Sequence, residues 1–180
     1  MTPLLVVGLV LCLVAAATDL RSGSIPNRLT YPALVLAPPA HLLLALRYGA
    51  GWPDALAQAG LSLVGLVVCG LVPFFLWRKG AMGGGDVKLF AALGALALPR
   101  VGFEAEMYVL IVAAMMAPIE LVYRGHLLRT LRNLGSQLGQ TFRKQEHKQA
   151  LDPALVSWFR LGPCFAIGFA LQVLLHWRSP

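Results

Sequence analysis

Cysteine is scarce in this 180-residue chain: Cys12, Cys69 and Cys164 stand singly in apolar stretches, with no C-x-x-C pair. That excludes a disulfide framework and a cysteine-held zinc site, and leaves three small hydrophobes. His41, His126, His147 and His176 are dispersed and no H-E-x-x-H occurs, so zinc-protease chemistry has no ligand set and no metal is expected. Charge is the other scarcity. Charged residues make up 13% of the chain, and only eight residues are acidic. What fills the chain is hydrophobic residues, at 58%. A composition this apolar is wrong for an ordinary soluble domain and sufficient for about six membrane crossings. The expected fold class is all-α, a polytopic membrane helix bundle forming one integral membrane domain over residues 1–180.

The net charge of +7 does not point to nucleic acid. Most of it falls in loops between apolar segments, where orientation in the membrane and attraction to anionic lipid account for it.

Taken in order, the first apolar segment is Pro3 to Thr18, closing at Asp19. Ala15-Ala16-Ala17 mimics a signal-peptide cleavage site, but there is no basic n-region and further spans follow. A polar loop from Asp19 to Asn27 comes next, with Pro26 where a second helix can begin. That helix is expected over about Leu29 to Leu46, kinked at Pro38-Pro39. A third covers about Asp54 to Trp77. After Arg78-Lys79 and the glycine run, Val87 to Leu98 is a fourth segment, short for a full span. The fifth covers about Phe103 to Tyr123, with Glu104 and Glu106 in its first turn, where acids suit a helix N-terminus. The sixth is about Leu161 to Trp177. Between the last two, Leu127, Leu131, Leu134, Leu138 and Phe142 recur at helical spacing inside a basic stretch. This predicts an amphipathic cytoplasmic segment, 124–150, lying on the bilayer against anionic lipid; the plainer alternative is a solvated linker.

Sidedness follows from the basic residues. With the Asp19–Asn27 loop in the cytoplasm, that side holds twelve of the fifteen Lys and Arg, against Arg47, Arg100 and Arg178 opposite. The positive-inside rule then puts both termini outside and the Asp19 and Asp86 loops together on the cytoplasmic face.

That shared side is the central inference. Asp19 and Asp86 each sit where a polar, glycine-containing loop meets an apolar segment, and an acid placed so in a membrane chain is a functional-site hypothesis by default. Two aspartates split an amide with water when the ionised one takes a proton from the water and the protonated one polarises the carbonyl. Like charges held close cannot both ionise, so such a pair shares a proton. Asp86 would open a helix and Asp19 would close one, so the macrodipole predicts Asp86 as the readier base and Asp19 as the readier acid. Gly83, Gly84 and Gly85 would let a substrate backbone approach closely and adopt dihedrals barred to other residues. The structural alternatives are an N-cap at Asp86 and a polar stop at Asp19; Lys88 is read as a snorkelling anchor beside the pair.

Asp19 followed by Ile25-Pro26-Asn27, then Gly83-Gly84-Gly85-Asp86-Val87-Lys88-Leu89 with Gly94 beyond, resembles the type IV prepilin peptidases, which are GxGD-type intramembrane aspartyl proteases. Leu161-Gly162-Pro163 and the residues after it resemble, more loosely, the proline-led last helix of that family. The resemblance implies Asp19 and Asp86 as the catalytic pair, with Gly83, Gly84, Gly85, Lys88, Ile25, Pro26 and Asn27 shaping the site. It implies removal of the basic leader from prepilins or pilin-like secretion subunits, at the cytoplasmic face of a bacterial inner membrane, with no cofactor.

The larger family members carry an insertion with paired cysteines and also methylate the new N-terminus. This chain has no such insertion, so peptidase activity alone is expected, as in the short peptidases of tight-adherence (Flp-type) pilus systems. The competing reading is a non-enzymatic transporter or pilus-assembly scaffold whose acids bind a cation or a partner. Internal repeats and acids near the midplane would mark a transporter, and neither is evident.

Overall fold

A computed structural model describes residues 3–123 and 160–178. They form α1 (Pro3–Ser22), α2 (Asn27–Arg47), α3 (Trp52–Arg78), α4 (Gly84–Tyr123) and α5 (Gly162–Arg178), with no strand among the described residues. The first three helices and the Gly84–Ile119 part of α4 are each long and apolar enough to cross a membrane, and α5 is a shorter apolar helix. The expected amphipathic segment over 124–150 lies outside the described residues.

The helix ends explain themselves locally. α1 continues a turn beyond Asp19 because nothing in Leu20-Arg21-Ser22 opposes it; it stops where Gly23 takes φ +67° and donates its N–H to the Asp19 carbonyl at 2.8 Å. Asp19 is therefore inside the last turn, a correction to its expected place at the helix end. α2 runs through Pro32, Pro38 and Pro39, and α3 has a proline, Pro53, at its start.

The expected fourth and fifth helices meet directly. They are the two arms of α4, 84–97 and 99–123, joined at Leu98, which stands at φ 67° and ψ 164°. Pro99 forces the break: it has no N–H to give the Ala95 carbonyl, and it drives the residue before it out of the helical region. The carbonyls left over are met from neighbouring helices. Ser62 of α3 donates to Ala95 O at 2.8 Å, and His41 Nε2 of α2 lies 3.2 Å from Ala95 O and 3.1 Å from Leu96 O. Both partners of His41 are acceptors, so Nε2 carries the hydrogen.

The first arm of α4 is the axis of the bundle. Every residue from Leu89 to Ala97 is buried, and α4 packs against each of the other four helices. Its shortness, odd in a lipid-facing span, is natural for a helix wrapped in protein. Small residues let α3 reach it: a Cβ on Gly94 would stand 2.7 Å from the Cβ of Cys69 and would collide with the Gly65 carbonyl. Phe90 meets Phe165 of α5 with ring centroids 4.4 Å apart.

Glu104 and Glu106 do not serve the start of a helix, because the second arm already begins at Pro99. Glu104 pairs with Arg100 at 3.5 Å and accepts from Gln172 of α5 at 2.8 Å. Glu106 is 1% exposed and neither carboxyl oxygen has a hydrogen-bond partner among the described residues.

Candidate active site

The loop from Gly23 to Pro26, the turn before α4 and the start of α5 gather at one end of the bundle, around Asp19. The last-turn position of Asp19 aims its side chain inward, and only 6% of the residue is exposed. Its Oδ2 accepts the backbone N–H of Gly162, the first residue of α5, at 2.9 Å.

Asp86 comes to the same place from the head of the central helix. Gly83 is the N-cap, since its carbonyl accepts the N–H of Asp86 at 3.2 Å and of Val87 at 3.4 Å. Asp86 is thus the third residue of the first turn, not the cap itself, and its carboxyl turns back toward Gly83. An acid here complements the positive end of the helix. The Asp19 and Asp86 carboxyl groups, 67 positions apart in sequence, lie within coulombic range of one another.

The three glycines make three different clearances. A Cβ on Gly83 would stand 2.8 Å from Asp86 Oδ2, one on Gly84 would stand 3.4 Å from Trp77 Nε1, and one on Gly85 would stand 3.2 Å from the Cβ of Ile25. None of the three takes a positive φ; among the described glycines only Gly23, Gly49 and Gly80 do. The expectation of unusual dihedrals is therefore corrected: the run supplies space, not left-handed backbone.

Ile25 is buried beneath Gly85, Pro26 is the N-cap of α2, and Asn27 opens that helix. Lys88 Nζ donates to Asn27 Oδ1 at 2.8 Å and sits 5.0 Å from the centroid of the Tyr31 ring. The residues predicted for the site thus occupy one neighbourhood, with two loops and the heads of two helices interlocked.

Comparison with known proteins bears on what such a neighbourhood is. The model of the type IV leader peptidase family matches residues 6–121. The chain belongs to that family. The match takes in Asp19, Ile25 to Asn27, Gly83 to Asp86 and Lys88, and ends before α5. The chain is also similar to a prepilin peptidase, EppA, of Methanothermobacter thermautotrophicus, at 36% identity over 93 residues. That stretch is 50% of this chain and 22% of the relative's length. No solved structure matches.

In this member of the leader peptidase family, several contacts at the site were not legible from the motifs. Gly162 is the partner of Asp19, Tyr31 lies beneath Lys88, Trp77 covers Gly84, and Arg160 Nη1 donates to the Leu20 carbonyl. The available signal was the Gly162-Pro163 pair heading the last apolar segment, a helix start of ordinary kind. The contact with Gly162 also removes the basis for dividing the two acids by dipole. Asp19 lies near the negative end of α1, but its carboxylate meets the positive end of α5, so each acid stands at a helix N-terminus.

Proposed function

We propose that this chain is an intramembrane aspartyl endopeptidase that removes the basic leader of prepilins or pilin-like secretion subunits. The supporting observation is that Asp19 and Asp86 lie within coulombic range of one another at one end of the bundle, in a member of the leader peptidase family. A water held between the two carboxyl groups loses a proton to the ionised one and adds its oxygen to the scissile carbonyl, while the protonated one hydrogen-bonds the developing oxyanion. Collapse of that intermediate breaks the C–N bond, and the proton passes to the leaving amine. Gly83 to Gly85 carry no side chains, which lets the Asp86 carboxyl, Trp77 and Ile25 close on the run itself. Ile25, Pro26, Asn27 and Lys88 fix the walls.

On this reading α1, α2, α3, the two arms of α4 and α5 are six passes through a cytoplasmic membrane. Both termini face outward, and the site opens to the cytoplasm, where the distribution of Lys and Arg supports it. Residues 124–148 lie on anionic lipid there. The chain hydrolyses the leader and does not methylate the product.

The test is co-expression with a candidate prepilin, following leader removal by gel shift, for the wild type, Asp19→Asn and Asp86→Asn. Loss of cleavage in both, with the protein still inserted in the membrane, is the expected result. Cleavage surviving in either variant overturns the assignment.

A further inference from the structure

Resting on the peptidase reading, we infer that the first residue of α5, Gly162, is a positioning residue for Asp19, and that it must be glycine to act as one. Asp19 and Gly162 are 143 positions apart, and Gly162 lies beyond the stretch that matches the family model. Its backbone N–H is nonetheless the donor to Asp19 Oδ2 at 2.9 Å, in a buried setting. Holding one oxygen of a buried carboxyl in this way fixes its rotamer and so aims the group.

The side-chain requirement comes from distance. A Cβ at position 162 would stand 2.6 Å from the Cβ of Asp19, 2.8 Å from its Oδ2 and 3.1 Å from the Cα of Ala16. The Asp19 Cβ and the Ala16 Cα are fixed to the backbone of α1, so any larger residue must push α5 away from α1 or turn Asp19 aside. The same stretch is latched to α1 a second time, by Arg160 Nη1 on the carbonyl of Leu20, the residue after Asp19. Phe165 N–H closes the first turn of α5 on the Leu161 carbonyl at 3.1 Å, so the Gly162 N–H has no partner within its own helix and is available to Asp19. The last helix thereby fixes one of the two acids without contributing a side chain to the chemistry.

The experiment compares Gly162→Ala with Gly168→Ala. Gly168 lies farther along α5, where a Cβ would stand 2.6 Å from the Cα of Val109 on α4, so its variant is crowded to a similar degree but away from the acids. Each is purified in detergent, its folded amount and melting temperature are measured, and kcat and KM for a prepilin are taken per folded molecule. For Gly162→Ala the expected result is a fall in kcat of about 10- to 100-fold with KM little changed, the scale set by sub-ångström to 1 Å misplacement of a reacting group. For Gly168→Ala it is a lower melting temperature with kcat per folded molecule kept. Arg160→Gln, which loosens the latch without crowding, should lower kcat less than Gly162→Ala does. If kcat simply tracks melting temperature across both glycine variants, or Gly162→Ala cleaves as the wild type does, the positioning role is overturned. Should Asp19→Asn or Asp86→Asn still cleave, it is the peptidase reading that fails, a different outcome from the first.

Discussion

Lys88 Nζ donates to Asn27 Oδ1 at 2.8 Å, joining the first turn of the buried central helix to the first residue of α2. The ammonium also lies 5.0 Å from the Tyr31 centroid, on that same second helix. A lysine two residues from Asp86 is therefore used to hold the surroundings of the acid, and it is turned toward a neutral amide and an aromatic face.

Lys88→Met keeps the aliphatic stem and removes both interactions, while Asn27→Ala removes one acceptor. Each is expected to lower thermal stability slightly, and the pair is expected to be non-additive by about 0.5–1 kcal/mol in a double-mutant cycle. Strict additivity of the two melting-temperature losses would mean the contact is not formed in the folded protein.

The break at Leu98 leaves carbonyls whose only described side-chain donors come from other helices. His41→Leu removes the donor shared by Ala95 O and Leu96 O and should cost about 1–3 kcal/mol, whereas Ser62→Ala leaves Ala95 O still in reach of His41 and should cost about 1 kcal/mol. Thermal melts in detergent give the order; Ser62→Ala proving the more damaging would contradict the capping role of His41.

Two glycines of α3 and α4 separate close packing from mere helix flexibility. Gly94→Ala meets Cys69 Sγ at 2.8 Å as well as the Gly65 carbonyl, and is expected to destabilise by about 3 kcal/mol or to reduce the folded yield outright. Gly60 has nothing within 4 Å of where its Cβ would be, so Gly60→Ala should leave stability unchanged or raise it by about 0.5–1 kcal/mol. A neutral Gly94→Ala would show that the two backbones are farther apart than the structure has them.

Glu106 carries a carboxyl group that the proposed reaction does not use and that no described residue satisfies. A buried polar group without a partner is a liability that an apolar side chain of similar volume lacks. Glu106→Leu is therefore expected to melt higher, by the equivalent of about 1–3 kcal/mol, with leader cleavage intact. A lower melting temperature would show that the carboxyl is satisfied after all.

The composition by itself determined that this chain is a bundle of apolar helices, because runs such as Pro3 to Thr18 and Asp54 to Trp77 admit little else. It also singled out Asp19 and Asp86, two of only eight acids, each at a junction of polar loop and apolar segment beside glycine. Those features are local in the chain, so they can be read along it. Which helix stands in the middle was not legible: in lipid, the faces turned to the bilayer are as apolar as those turned to protein, and no periodicity marks residues 84–97 as enclosed. The donors His41 and Ser62 brought to the carbonyls before Leu98, and the N–H of Gly162 on Asp19, were decided by the tertiary structure alone. Each joins groups far apart in sequence through backbone atoms, which every residue carries and which therefore leave no trace in the letters.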